Sequence, residues 1–220
     1  MKFWTTQSEK VLKIILEDKA YRPDFKLSDG LGSKQMRPSY DEMLNEYQLR
    51  NQVSCSGLVF GISKLDDLVV NSINEYRKYF FDNPTFWDSV SSAGENYATL
   101  ELEIPDKLDL VPIYFQDFII LGLRCLRDFS FNYYVKEQLV EEEFHSFKED
   151  LKISQTIGWT NDIKDMFGES MLNKITQVHV HEILLDNIVN IYPTVNFETN
   201  EEYNLNKKAI QLKEMIKNKK

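Results

Sequence analysis

The chain has 220 residues, of which 42% are apolar and 13% aromatic, so it can bury a substantial core and fits one domain more naturally than two. Its formal charge of −9 argues against a protein that wraps bare nucleic acid over a large surface, because phosphate contacts need clustered lysine and arginine. The longest apolar run, residues 118–123, is far shorter than the ~20 residues that a bilayer requires, which predicts a soluble cytoplasmic protein without a membrane partner.

The N-terminal part of the chain predicts one strand and two helices. Residues 3–5 have the pattern of a short strand, and Thr6 with Glu9 predicts a capping box at the start of a helix. Residues 22–38 are punctuated by two prolines and two glycines, which predicts a loop. Ser39 with Glu42 predicts the start of the second helix. The expected apolar faces are Val11, Ile14, Ile15 and Ala20 in the first helix and Tyr40, Met43, Leu44 and Tyr47 in the second.

The middle of the chain predicts two strands and three helices. Residues 58–62 lie in a compact apolar run that is typical of a strand, and apolar residues at helical spacing predict a helix from about residue 65 to residue 83. Residues 97–105 alternate polar and apolar side chains, which predicts a half-buried strand with Glu101 on its wet face. Two further helices are expected at residues 116–129 and 136–153.

The stretch of residues 174–191 predicts a strand at residues 177–183 and a second one near residues 187–192. Alternation puts Gln177, His179 and His181 on one face of the first strand and Glu182 on the other. Residues 200–220 predict an amphipathic helix with a local charge of +3, against −12 for residues 1–199. Its apolar stripe is Leu205, Ala209, Leu212 and Met215.

The order of these elements predicts an α+β fold, because strands and helices do not alternate regularly. We expect a single domain over residues 1–199, with a small mixed or antiparallel sheet flanked by helices, followed by the basic C-terminal helix of residues 200–220. The helix is too short to be stable alone, so we expect it to dock on the domain or on a second copy.

Metal and nucleophile chemistry have little support in the motifs. His179 and His181, followed by Asp186, resemble the ligand spacing of cupin-type barrels. A metal site needs three or four ligands, however, and only His145 remains as another histidine. The two cysteines have no paired spacing, which favours free buried thiols over a disulfide or a zinc site. No Walker-type loop, GxGxxG or GxSxG motif occurs, so we expect neither a metal cofactor nor ordinary nucleotide hydrolysis.

Several stretches resemble the bacterial domain-of-unknown-function family 3841. They are FWTTQSEKVLKIILEDKAYRPDF, YDEMLNEY, LELEIP with QDF after it, and ITQVHVHEILLDNIV. Members of that family open with a Trp-Thr-x-Gln strand, a helix and a Tyr-Arg-x-Asp step, and the resemblance covers about residues 1–197. The chain departs from the family in the middle segment, where CSGLVFGISK replaces a Pro-x-Trp-Ala-Trp core. The family name carries no activity, so the resemblance implies a fold more than a function.

The order of elements is also similar to that of ADP-ribosyltransferase-like domains, which place an essential glutamate on a late strand in a Glu-Val-x-Val pattern. Here the segment that begins at Gln177 and contains His179 stands at that place, and the resemblance implies that these two residues occupy the catalytic position. An amide can bond a ribose hydroxyl but cannot act as a base. The residues that the resemblance places along a nucleotide-binding cleft are Trp4, Gln7, Tyr21, Arg22 and His181.

These cleft residues have structural interpretations as well. Arg22 suits the pairing of a pyrophosphate, and an aromatic ring suits stacking on nicotinamide. Trp4 and Tyr21 would equally suit a core as buried aromatics, and Arg22 would suit a local salt bridge with Asp24.

Two classes of function follow. The first is an ADP-ribosyltransferase-like domain that binds NAD or a related nucleotide and acts on a macromolecule. Because Gln177 replaces the expected glutamate, the activity of such a domain would be degenerate. The second is a non-catalytic acidic interaction or inhibitor protein of phage or mobile-element type, whose partner is another protein. The basic C-terminal arm suits contact with nucleic acid or an acidic partner, and it equally suits a solvated helix end.

Overall fold

The computed structural model describes residues 1–27, 37–65, 68–81, 91–104, 113–114, 175–196 and 199–219. The strands in these ranges are β1 Lys2–Ser8, β2 Ala20–Tyr21, β3 Val59–Leu65, β4 Leu68–Val69, β5 Tyr97–Glu103, β6 Ile113–Tyr114, β7 Ile175–Val180, β8 Ile183–Leu184, β9 Ile188–Pro193, β10 Val195–Asn196 and β11 Glu201–Glu202. The α-helices are α1 Glu9–Asp18, α2 Arg37–Asn51, α3 Ile73–Phe81 and α4 Lys207–Lys217, and short 3-10 helices occupy Ser91–Asn96 and Leu185–Asn187.

The main sheet has the strand order β6-β7-β3-β1-β5-β9, and β4 pairs with β3 outside this path. Each of these pairs is antiparallel. Two small ladders, β2–β8 and β10–β11, lie beside the main sheet. The four strands that the sequence predicts near residues 3–5, 58–62, 98–104 and 177–183 all belong to the main sheet, so the α+β prediction and its antiparallel variant are confirmed.

One face of the main sheet, called the helix face below, packs against α1 and α4. Alternate residues of the central strands point to this face, among them Phe3, Leu100 and Val178. Their partners in the same apolar cluster are Leu12 and Ile15 of α1 and Ala209, Leu212 and Ile216 of α4. Complete burial of a leucine side chain such as Leu212 contributes about 2 kcal/mol to stability. Because this cluster contains many fully buried apolar side chains, it is the main core of the described chain.

The opposite face, called the aromatic face below, carries Trp4, Phe60 and Tyr192 on its strands. Helix α2 covers one side of it, where Tyr40 lies edge-on to Phe60 with 5.5 Å between ring centroids. The buried side of α2 is the set Tyr40, Met43, Leu44 and Tyr47, as its apolar spacing predicts. Helix α3 covers the part near Trp4.

Strand β5 is buried on both faces, so the prediction of a half-buried strand is wrong. Thr99 is 4% exposed and Glu101 is 6% exposed although both lie on the polar side of the alternation. The reason is that β5 lies between β1 and β9 in the sheet, where its aromatic face is covered as well.

The predicted helix starts are also wrong. Helix α1 begins after Ser8, which makes no side-chain capping bond, and Thr6 instead lies in β1 with its hydroxyl 3.0 Å from that of Thr99. Helix α2 begins at Arg37, two residues before the predicted cap at Ser39. Thr6 lies in a strand and Ser39 lies inside a helix, so neither residue marks a helix start.

The helix expected from residue 65 is shorter than predicted, because its first part is a β-hairpin. Lys64 pairs with Val69 and Leu65 pairs with Leu68, and the helix begins only at Ile73. An apolar run of this length suits either a helix or a buried strand, and pairing with β3 selects the strand.

The C-terminal helix docks on the domain, as expected. Asn206 caps α4 by accepting a hydrogen bond of 2.9 Å from the Ala209 amide. Ile216 is buried in addition to Ala209 and Leu212, whereas Leu205 and Met215 are partly buried against the same core.

The helices expected at residues 116–129 and 136–153, together with His145 and Cys125, lie outside the described residues. Within the described part of the chain, no helix is long and apolar enough to cross a membrane.

Candidate functional site

A cluster of polar side chains forms where β7 ends. His181 and Glu182 occupy the bend between β7 and β8, and Arg22 follows β2 directly. Because β2 pairs with β8, with Tyr21 opposite Ile183, Arg22 is brought beside Glu182. The Arg22 Nη2 and Glu182 Oε2 atoms lie 2.8 Å apart. Two segments that are far apart in the sequence therefore meet at this edge.

Helix α2 contributes a tyrosine to the same place. The Tyr47 Oη lies 2.9 Å from Nδ1 of His181, and the His181 Nε2 lies 3.9 Å from Oε1 of Glu182. Burial raises the pKa of Tyr47 to about 12, so its hydroxyl stays protonated near neutral pH. A carboxylate beside Nε2 favours a proton on that nitrogen, which leaves Nδ1 to accept from the tyrosine hydroxyl.

These contacts form a chain that we call the edge cluster: Arg22, Tyr47, His181 and Glu182. The side chains of His181 and Glu182 are 20% and 24% exposed, whereas that of Arg22 is 67% exposed. The cluster therefore presents an oriented imidazole, a carboxylate and a largely solvated guanidinium at one surface. Such a set suits a ligand that combines negative charge with hydroxyl groups.

Glu182 is not on the face opposite His181, contrary to the alternation argument. Strand β7 ends at Val180, so the two-residue period of a strand no longer applies to the bend that follows. Both side chains consequently reach the same cluster.

His179, by contrast, lies in the interior. It is 7% exposed, and its ring meets Phe60 edge-on at a centroid distance of 4.8 Å. Burial lowers the pKa of His179 to about 3, so the imidazole is neutral over the ordinary pH range. Its Nε2 has no hydrogen-bond partner among the described groups. His179 and His181 therefore do not share one patch, because one packs under aromatic rings and the other leaves the strand.

The remaining predicted site residues lie at other places in the fold. Gln177 is paired in register with Ile62 of β3 and Ile113 of β6. Trp4 is fully buried on the aromatic face, where its Nε1 donates a 2.9 Å hydrogen bond to the Val70 carbonyl. Trp4 thus has the environment of a core residue.

Gln7 and Tyr21 have different surroundings. The Gln7 Nε2 donates a hydrogen bond of 2.8 Å to Oγ1 of Thr5 in the same strand. Tyr21 is half-buried against the main core, next to Arg22 in the chain. Of the predicted residues, Arg22 and His181 both lie beside Glu182, and Tyr21 precedes Arg22 but packs against the main core. The other four, Trp4, Gln7, Gln177 and His179, lie elsewhere in the fold.

The structure contains a second polar cluster, which the sequence patterns did not predict. Glu101, expected on a wet face, is buried on the aromatic face with Lys2 Nζ at 2.9 Å from Oε1 and Tyr192 Oη at 2.9 Å from Oε2. Asn190 completes the cluster by donating to the Tyr192 hydroxyl at 3.0 Å. The hydrogen bond to Glu101 raises the pKa of Lys2, although burial opposes the shift. Both carboxylate oxygens have internal partners, so this network suits structure better than ligand binding.

Neither a candidate metal site nor a reactive thiol is found within the described ranges. No group of three or more His, Cys, Asp and Glu side chains in those ranges could hold a metal ion. Cys55 is a free thiol, and burial raises its pKa, which disfavours the reactive thiolate.

Comparison with known proteins adds no identification: no family model, no curated protein and no solved structure matches this chain. The class of the protein is therefore defined by its own fold, an α+β domain with an antiparallel sheet and a polar cluster at the end of β7.

Proposed function

We propose that this protein binds NAD or a related nucleotide at the edge cluster, in the manner of an ADP-ribosyltransferase-like domain. The observation that supports the proposal is that Arg22 and His181 both lie beside the carboxylate of Glu182, while Tyr21 directly precedes Arg22 at the β2–β8 ladder. Tyr21, Arg22 and His181 come from two distant segments, and each was selected as a nucleotide contact on the basis of the sequence resemblance alone. Their proximity suits one ligand better than three unrelated roles.

The guanidinium of Arg22 suits the pyrophosphate of the nucleotide. Its ion pair with Glu182 is largely exposed, and pairs of that kind contribute only about 0 to 1 kcal/mol. Replacing Glu182 by a phosphate as the partner of Arg22 therefore costs little free energy. A phosphate can also accept two parallel hydrogen bonds from arginine. Tyr21, beside it, offers an aromatic ring.

The transfer of ADP-ribose would require a carboxylate beside the ribose, since an amide carries no charge. Glu182 offers one within the edge cluster, where Arg22 and His181 hold it. We assign it the role of steadying positive charge on the ribose. The sequence resemblance assigns the anchoring of a ribose hydroxyl to Gln177, which lies outside the edge cluster and earlier in β7. Binding of the nucleotide must precede any transfer of ADP-ribose, and titrations with NAD and ADP-ribose measure it directly.

Replacing Arg22 with alanine is expected to weaken the binding of NAD and of ADP-ribose about tenfold, because a charge-assisted hydrogen bond contributes about 1.5 kcal/mol or more. Isothermal titration calorimetry measures the change. Lys13→Ala is the matched control, since Lys13 is another exposed cation, 3.8 Å from the carboxylate of Glu17, and lies on α1. If the wild-type protein binds neither ligand at millimolar concentration, the nucleotide proposal is wrong and the acidic interaction protein takes its place.

Replacing Gln177 with alanine is expected to weaken nucleotide binding about fivefold, which corresponds to the ~1 kcal/mol of one neutral hydrogen bond. The same titrations provide the measurement. Gln211→Ala, on the exposed side of α4, controls for the loss of an amide as such. Equal affinities of the Gln177→Ala variant and the wild-type protein would remove Gln177 from the site while leaving the role of Arg22 intact.

A further inference from the structure

Strand β9 ends the main sheet on one side among the described strands. A strand in that position leaves a row of backbone N–H and C=O groups without a neighbour, and such a row is a template for pairing with another chain. The partners of these groups in β9 therefore show how the protein treats its own sheet edge.

Side chains bond three backbone groups at the C-terminal half of β9, those of Ile191 and Pro193. The Ile191 N–H donates to Oδ1 of Asn190 at 2.9 Å, and the Ile191 carbonyl accepts from Nζ of Lys213 at 3.0 Å. Pro193 has no N–H to offer, and its carbonyl accepts from Nη2 of Arg77 at 3.0 Å. Since these bonds go to side chains and not to β5, they involve the groups that face away from the sheet.

The two cationic side chains reach the edge from opposite faces. Lys213 belongs to α4, which packs on the helix face, and Arg77 belongs to α3, which lies on the aromatic face. Arg77 is held in place by a second bond, from its Nη1 to Glu202 at 2.5 Å.

Protection continues beyond β9 along the chain. The Thr194 carbonyl accepts a 2.9 Å hydrogen bond from the Tyr203 amide, and β10 pairs with β11. The carbonyls of residues 191, 193 and 194 thus all have partners from other elements.

We propose that Lys213 and Arg77 hold the β9 edge closed against β9 of a second copy of this chain. A second copy fits best because a strand related to itself by a two-fold axis is automatically antiparallel, and the main sheet is antiparallel throughout. The pairing would join two sheets into one through backbone bonds that need the Ile191 carbonyl, which Lys213 occupies, to be accessible on both copies. Arg77 has a second hydrogen bond, to Glu202, whereas the Lys213 ammonium reaches the edge on a long flexible side chain and lies 6.0 Å from the centroid of the Tyr192 ring.

The test is the self-association of Lys213→Met, measured by sedimentation velocity from micromolar to near-millimolar protein. Methionine is unbranched, is one heavy atom shorter than lysine and has a similar helix propensity, but it lacks the ammonium donor. Lys217→Met is the matched control, because Lys217 is an exposed lysine of the same helix and its loss changes the net charge equally. The double variant Lys213→Met, Arg77→Met opens both carbonyls.

We expect the wild-type protein and Lys217→Met to remain monomeric, and Lys213→Met to dimerise with a dissociation constant at least about tenfold lower than that of the control. The double variant should dimerise more tightly still. Circular dichroism establishes that each variant is folded, and the single variant carries the test if the double variant is not. A folded Lys213→Met that stays monomeric at the highest concentration overturns the proposal, as does a wild-type protein that dimerises equally.

Discussion

Lowering the pH from 6.5 to 4 is expected to reduce the free energy of unfolding by about 3 kcal/mol through His179 alone. The pKa of this buried imidazole is about 3 in the folded protein, against an ordinary value of 6.5. The unfolded chain therefore binds more protons between these two values. The contribution to stability is complete above pH 6.5 and is lost as the pH falls toward 3, at about 1.4 kcal/mol per pH unit.

Urea unfolding at a series of pH values measures this loss in the wild-type protein and in His179→Phe. The variant lacks the titrating group and also the Nε2 atom that has no partner, so it should be at least as stable as the wild-type protein at neutral pH. Carboxylates titrate in both proteins, and the difference between the two curves isolates His179. His181→Gln serves as a control that keeps the buried group. Parallel curves for the wild-type protein and His179→Phe would mean that His179 is solvated.

Replacing Gly61 with alanine is expected to destabilise the protein by about 3 kcal/mol, because β3 has no room for a methyl group at this position. A β-carbon on Gly61 would overlap Cζ of Phe3 and would lie 2.5 Å from the Trp4 carbonyl oxygen. A ring can shift slightly, but the carbonyl belongs to the neighbouring strand, and its displacement disturbs the β1–β3 ladder.

Chemical denaturation provides the measurement, and Gly94→Ala is the comparison. A β-carbon on Gly94 would meet no atom within 4 Å, so only its backbone conformation, with φ of 50° and ψ of −149°, opposes the substitution. Residues other than glycine rarely adopt this conformation, and the strain costs about 1 to 2 kcal/mol. Equal losses for the two variants would show that β3 accommodates the methyl group at Gly61 with much less than the expected loss. The double variant with Phe3→Leu should recover part of the loss, since it removes the ring but leaves the carbonyl.

Local sequence patterns predicted the structure correctly where it depends only on residues that are close together in the chain. The face of α2 is an example, because a period of 3.6 residues places Tyr40, Met43, Leu44 and Tyr47 together whatever the helix packs against. The C-terminal helix is another example, with Ala209 and Leu212 buried as expected. Alternation likewise located β5, although its burial on both faces depends on the strands beside it.

The candidate site was only partly accessible from the sequence. The resemblance selected Arg22 and His181, which both lie beside Glu182 in the structure, and Tyr21, which packs against the main core. It did not select Tyr47, which orients the imidazole from a helix more than a hundred residues away in the chain. Strand alternation placed His179 beside His181, because the pattern gives no sign that the strand ends at Val180.

The sequence by itself determined the α+β class, the four central strands and the apolar faces of α2 and α4, because each of these follows from a short hydrophobic period. Only the tertiary structure decided the strand order and the register, and with them every contact of chemical interest. Lys2 meets Glu101 across 99 positions, and Arg77 meets the Pro193 carbonyl across 116. Such contacts depend on which strands become neighbours, and the periodicity of one strand is the same beside any partner.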